Sequence, residues 1–293
     1  AHVDKVTGLN YREPFMKSIE AALESDDVNA TGSLSLTRLA GLAQMNQLYG
    51  RANMDAVLHE IGKEMNRIVM QHSRWAASRL NGSDFAILAP RAMDPKDAAT
   101  QVQNGIREVL ENHSMSTGVL LPTATTIYKH GDTVGSIMTR IDGALLSNER
   151  EGESAISIAY DGDIQMQPVR QQMGQWRGIL VESFREHNFV LDYFPLIGLQ
   201  QELVHLEAPA RLNWQGDKLS AGQFLPWVNR LQMSLELDKE VVDLALRAIE
   251  ASGNPTAVNL SVASVVEPGF LSWIGERLTT KREAAKNLWL EVP

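Results

Sequence analysis

The stretch Arg79-Leu80-Asn81-Gly82-Ser83-Asp84-Phe85-Ala86-Ile87-Leu88 decides the fold of the first half of this chain. An Asn-Gly pair between two extended runs is a strong local signal for a β-hairpin. Strands are therefore predicted over residues 74–80 and 85–89. Upstream, Phe15, Ile19, Ala22 and Leu23 keep helical spacing within residues 13–24, and residues 33–39 alternate as a strand. Met54, Val57, Leu58, Ile61, Met65, Ile68 and Val69 mark a longer helix, with Asn53 and Asp55 placed to cap its start. Downstream, a helix at 95–112, a strand near 115–128, a helix at 133–148 and a strand at 155–160 complete an α+β sheet domain.

At 293 residues the chain is long enough for two domains. The polar, turn-rich residues 161–168 mark the boundary, which gives a domain at 1–162, a linker at 163–169 and a second domain at 170–293. In the second half a helix is predicted at 169–187. Strand-like runs at 189–199 and 203–214 come next, then helices at 221–230 and 235–251. A strand at 256–261, a helix at 269–280 and a strand at 287–292 follow. Strand–helix–strand units point to a parallel α/β barrel. The 126 residues from 168 to 293 are expected to supply about half of one.

A 44% apolar and 22% charged composition fits a folded globular protein, and the net charge of −9 argues against a nucleic-acid partner. With no cysteine there is no disulfide and no thiolate metal site, and the seven histidines never stand at His-x-x-x-His spacing. No run reaches the ~18 to 20 apolar residues of a membrane helix. The chain starts at Ala1 and stops at Pro293. It is expected to be the cytoplasmic part of something longer, with membrane segments upstream and a homodimeric partner to cover the open half-barrel.

Several motifs then carry a resemblance. Asp4, Thr7-Gly8-Leu9 and Arg12 resemble the opening signature of GGDEF domains, the bacterial diguanylate cyclase or palm-like fold, with Tyr11 where Asn is usual. Leu80 to Phe85 stands at the naming motif, and Arg140, Asp142, Ala144 and Leu145 resemble a late family stretch. Cyclase chemistry needs carboxylates that hold metal ions against the phosphates. The resemblance puts Arg38 where the family keeps its strand Asp and Ala40 at a neighbouring acid. It also replaces Gly-Gly-Asp-Glu-Phe by Asn81, Gly82, Ser83, Asp84 and Phe85. A guanidinium repels the ion that belongs there, so the domain is expected to be catalytically inactive. Asn46 and Asp55 fall on the guanine-contacting slots and imply residual GTP binding, although a helix-surface Asn and a first-turn Asp explain them equally well. His72 and Trp75 occupy the family's inhibitory Arg-x-x-Asp site.

The second half resembles an EAL domain, the cyclic di-GMP phosphodiesterase fold. Asp192-Tyr193-Phe194-Pro195 matches its Tyr-x-Gln-Pro opening and Leu206-Glu207-Ala208-Pro209-Ala210-Arg211 its naming motif. Phe224-Leu225-Pro226, Leu237-Asp238, Val258-Asn259-Leu260-Ser261 and Leu290-Glu291 follow in family order. The resemblance implies Glu207, Asn259 and Glu291 as metal ligands for Mg²⁺ or Mn²⁺ in a complete barrel, and Arg211 as the partner of a cyclic di-GMP phosphate. As it stands the chain requires no cofactor. Phe224 to Trp227, Arg230-Leu231 and the degenerate first domain are similar to LapD-type receptors, which bind cyclic di-GMP in an inactive EAL domain at the inner membrane. A cyclic di-GMP receptor is the leading expectation. Because Glu207 survives, a phosphodiesterase regulated by its GGDEF domain is the alternative.

Overall fold

The computed structural model describes residues 3–92, 94–151, 154–159 and 169–293. Two compact units divide the chain, Ala1–Met166 and Gln167–Pro293. The expected linker lies largely outside the described residues. No helix among those residues is long and apolar enough to cross a membrane.

In chain order the first unit contains α1 (Arg12–Glu24), β1 (Gly32–Arg38), α2 (Leu42–Tyr49), α3 (Arg51–Met70), β2 (Ala76–Arg79), β3 (Asp84–Pro90), α4 (Asp97–Asn112), β4 (Thr123–Tyr128), α5 (Val134–Glu151) and β5 (Ile156–Ile158). Its sheet runs β2-β3-β1-β4-β5, antiparallel except for the β4–β5 pair. Side chains on a strand alternate between the two faces. Phe85, Ile87 and Ala89 therefore join α3 and α4 in one apolar layer, while Ala86 and Leu88 join α1 and α5 in the other. Every residue of β3 is buried, which is why its sequence reads as a continuous apolar run after Asp84.

The structure differs from the sequence reading in several places. The hairpin tip contains no residue of positive φ at Asn81 or Gly82, so it is not the two-residue turn that Asn-Gly usually forms. Instead the Asn81 side-chain oxygen accepts the amides of Ser83 and Asp84, both at 2.9 Å, and Arg79 donates to the Gly82 carbonyl at 2.7 Å. Asn53 and Asp55 do not cap α3. The helix begins at Arg51 behind Gly50, whose φ of 83° breaks it from α2, and Asn53 donates back to the Tyr49 carbonyl at 2.8 Å. The strand expected from residue 115 begins only at Thr123.

The second unit contains α6 (Val169–Arg185), β6 (Phe189–Leu191), β7 (Phe194–Ile197), β8 (Leu203–Glu207), β9 (Ala210–Trp214), β10 (Asp217–Leu219), α7 (Ala221–Arg230), α8 (Ser234–Ser252), β11 (Thr256–Asn259), α9 (Val262–Val265), α10 (Pro268–Thr280), α11 (Arg282–Ala285) and β12 (Leu288–Glu291). The run at 203–214, expected as one strand, breaks at Ala208-Pro209 into two strands of different sheets. Proline has no N–H to extend the first ladder, and its carbonyl instead accepts the Asp192 amide at 3.1 Å. The run at 189–199 splits in the same way. One sheet is β10-β9-β6. The other is β12-β11-β8-β7, with its first three strands parallel and no barrel closure among the described residues.

One close approach ties the opening motif to the first core. A Cβ at Gly62 on α3 would meet the Thr7 carbonyl oxygen at 2.0 Å. That backbone cannot retreat easily, because Asp4 accepts from the Thr7 hydroxyl at 2.7 Å and from Arg79 at 3.0 Å. Gly62→Ala is expected to cost about 1–3 kcal/mol through overpacking, read as a lower urea midpoint by circular dichroism. An unchanged midpoint would show that the Thr7 loop yields.

Candidate functional site

The cleft in the first unit has a volume of about 390 Å³ and is lined by Arg38, Gly41, Gln44, Asn46, Ser83 and Glu149 among others. Strand register sets its chemistry, because Arg38 lies directly opposite Asp84 at the shared end of β1 and β3. The guanidinium forks onto the carboxylate, with Nε donating to Oδ1 at 2.7 Å and Nη2 to Oδ2 at 2.9 Å. Its remaining arm, Nη1, donates to Glu149 Oε2 at 2.7 Å. Asn81 Nδ2 adds a third donor to Asp84 at 2.7 Å. These hydrogen bonds, led by Asp84, hold the Arg38 pKa above its ordinary value.

Asp84 is 4% exposed and already accepts three side-chain donors. One guanidinium against two carboxylates leaves a single negative charge at this end of the cleft. Asn46 lines the cleft. Asp55 does not line it. It sits exposed on α3, five residues into the helix and beyond the first turn. His72 stacks on Trp75 with ring centroids 3.6 Å apart, which covers one face of each ring.

In the second unit the parallel register gathers the expected residues at one sheet end. Glu207 pairs with Ala257, Ala257 with Trp289, and Asn259 with Glu291. Two-residue periodicity then puts Glu207, Asn259 and Glu291 on the same face. His205, which the sequence reading left aside, lies on that face as well. Its Nε2 is 2.6 Å from Glu207 Oε1, and ligand atoms of His205, Glu207 and Glu291 all fall within 4.8 Å of one another. The signal was the spacing His205-x-Glu207 on a strand, which aims both side chains the same way.

Arg211 is on β9, in the other sheet. Its Nε donates to Asp192 Oδ2 at 3.1 Å and its Nη1 to the Ala210 carbonyl at 3.0 Å. Lys218 pairs with the other Asp192 oxygen. The Lys218 hydrogen bond, helped by Arg211, holds the Asp192 carboxyl below the ordinary range. Behind the strand end, Asp238 of α8 accepts the Ser261 amide at 2.8 Å and hydroxyl at 2.7 Å, and Ser261 in turn caps α9. This anchors the chain just past Asn259. Burial pushes the Asp238 carboxyl above its ordinary value, against the hydrogen bonds that lower it.

Comparison with known proteins places both units. The profile of the family described as "Diguanylate cyclase, GGDEF domain" matches residues 1–155, and that of the EAL domain matches residues 177–293. The solved apo structure of Vibrio cholerae LapD S helix-GGDEF-EAL superposes with a TM-score of 0.75 at 20% identity, over 100% of this chain and 69% of that one. That identity supports likeness of fold only. The RNase E specificity factor CsrD of Escherichia coli is 19% identical over 94% of the chain and 43% of its own length. The bifunctional diguanylate cyclase/cyclic di-GMP phosphodiesterase MucR of Pseudomonas aeruginosa is 24% identical over 87% and 38%. The chain spans less than half the length of either curated relative.

Two outcomes are expected from this geometry. Arg38→Ser leaves Asp84 and Glu149 without their cation, so millimolar Mn²⁺ should stabilise the variant by about 1 kcal/mol more than it does the parent, roughly 2–4 °C in thermal midpoint. Equal shifts for both would show that Arg38 does not fill the cation position. A carboxyl whose folded pKa is raised contributes stability present below its unfolded pKa and lost as pH rises through the folded value. The parent should therefore lose stability above pH ~4, and Asp238→Asn should flatten that decline in denaturation curves measured across pH. A decline that persists in the variant would assign it to another group.

Proposed function

The chain belongs to the GGDEF family and carries an EAL domain after it, and from that premise we propose that it is a bacterial cyclic di-GMP signalling protein that receives the nucleotide without synthesising it. The observation that carries this reading is the fork of Arg38 onto Asp84. Cyclase chemistry brings together two nucleoside triphosphates, and the metal that neutralises their phosphates needs carboxylate lone pairs. Here Asp84 is saturated by Arg38 and Asn81, and a fixed positive charge stands beside it. At ~4 Å and an effective dielectric of ~20, unit charges interact by about 4 kcal/mol. Repulsion between Arg38 and a divalent ion beside it is therefore several kcal/mol, set against attraction by Asp84 and Glu149, whose oxygens Arg38 already engages. GTP remains a proposed secondary ligand of the cleft, through Asn46.

For the EAL domain the support is the convergence of Glu207, Asn259 and Glu291 at one strand end, with Arg211 on the strand after the naming motif. Binding of a phosphate by Arg211 requires the guanidinium to share or exchange Asp192. The proposed setting is cytoplasmic, in a dimeric protein with membrane segments upstream. The survival of Glu207 favours one alternative, a phosphodiesterase regulated by its GGDEF domain, in which Glu207, Asn259 and Glu291 would hold Mg²⁺ or Mn²⁺ to activate water. Their donor set fits such an ion.

Calorimetry on the full-length protein titrated with cyclic di-GMP should give one ligand per EAL domain. Arg211→Ala should weaken it about tenfold, equivalent to ~1.4 kcal/mol. No heat at high ligand concentration removes the receptor reading. The same protein incubated with GTP and Mg²⁺ or Mn²⁺ should release no pyrophosphate. Linear dinucleotide formed from cyclic di-GMP would replace the receptor by the phosphodiesterase.

A further inference from the structure

We propose that Lys218 is a second anion-binding residue beside Arg211, and that the Asp192 carboxylate is a built-in competitor which any phosphate ligand of this pair must displace. Strand register brings the three together. In the β10-β9-β6 sheet Arg211 pairs with Val190, and Lys218 pairs with Asn213. Residues two apart on a strand share a face, so Arg211, Asn213 and Lys218 lie on one side of the sheet. Asp192 continues that side one residue past the end of β6. The opposite side is apolar, with Phe189, Leu191 and Leu212 in the core of the unit.

On the polar side two cations hold one anion. Arg211 Nε donates to Asp192 Oδ2 at 3.1 Å, and Lys218 Nζ engages Oδ1. The carboxylate thus presents one oxygen to each cation, as a phosphodiester presents its two non-bridging oxygens. Two positive charges against one negative leave the cluster attractive to a further anion. The Arg211 side chain is 13% exposed, Asp192 28% and Lys218 51%. Arg211 is also held by its bond to the Ala210 carbonyl, whereas Asp192 and Lys218 have solvent to turn into. Exchange therefore proceeds with Asp192 swinging outward and Lys218 following the incoming phosphate. Lys218 and then Arg211 keep the Asp192 carboxyl below the ordinary range, so the competitor is charged at neutral pH. The EAL resemblance assigns a ligand role to Arg211 alone of these three. The identity of the anion, a cyclic di-GMP phosphate, rests on the receptor reading above, but the paired cations and their competitor do not.

Calorimetry with cyclic di-GMP on the full-length protein and its variants tests this. Asp192→Asn, which keeps the shape of the side chain, should tighten binding about fivefold, and Lys218→Gln should weaken it about fivefold, ~1 kcal/mol each for a partly exposed charge. Lys218→Arg should bind like the parent. Unchanged affinity in either Asp192→Asn or Lys218→Gln overturns the proposal and leaves the receptor reading in place. If neither the parent nor any variant binds cyclic di-GMP, the receptor reading fails and inorganic phosphate becomes the probe. At fixed ionic strength, millimolar phosphate should raise the thermal midpoint of Asp192→Asn more than that of the parent. Equal shifts would overturn the anion site as well.

Discussion

A guanidinium and a carboxylate held face to face by one register pair set what the first unit can bind. Arg38 and Asp84 oppose each other because β1 and β3 pair antiparallel from Gly32–Pro90 onwards. The apolar layers on both sides of the sheet forbid a slip, since moving one residue would turn Phe85, Ile87 and Ala89 out of their layer. The hydrophobic core thus fixes an ion pair whose carboxylate is buried and whose guanidinium is partly exposed. Planar, two-pronged contact suits arginine and a carboxylate better than any lysine pairing would. The third arm of Arg38 reaches Glu149 of α5, so a single cation answers acids from two elements.

The second unit solves the same problem in the opposite way. Its acids Glu207 and Glu291 converge from parallel strands with no lysine or arginine partner among the described residues, and the neighbour that meets Glu207 is an imidazole. Arginine is present in the naming motif, but Pro209 ends β8 and sends Arg211 into another sheet, where Asp192 engages it. The difference between the two sites is thus a difference in where the positive charge has been built in. One has it in the binding position, the other beside it.

Much of this was legible in the sequence because it is periodic. The apolar spacing from Met54 to Ile68 specified α3, and the order of short strands and helices after residue 188 specified parallel units. The motif residues Glu207, Asn259 and Glu291 came from the resemblance to EAL domains, and the strand register puts them on one face. The pairing of Arg38 with Asp84 was not legible, because it joins residues 46 apart in sequence through strand register. Sequence alone showed a misplaced charge, but not its partner. The helix α2 was missed because eight residues between Gly41 and Gly50 offer only two turns of periodicity. His205 was missed for another reason. A single histidine in a strand looks like any other until a neighbouring strand supplies the second carboxylate.

The Arg38–Asp84 pair is seated directly against the core of the first unit. The apolar layers of the first unit are made by helix faces and by β1, β3 and β4, and they reach the strand end where Arg38 lies, since Leu39 and Phe85 beside the ion pair are fully buried. The strand end of the second unit is positioned by a buried carboxyl group. Asp238 is buried at the cost of a raised pKa in order to hold Ser261, directly after the strand that presents Asn259. The buried Asp238 carboxyl is thus bound up with the placement of the strand end that presents Asn259.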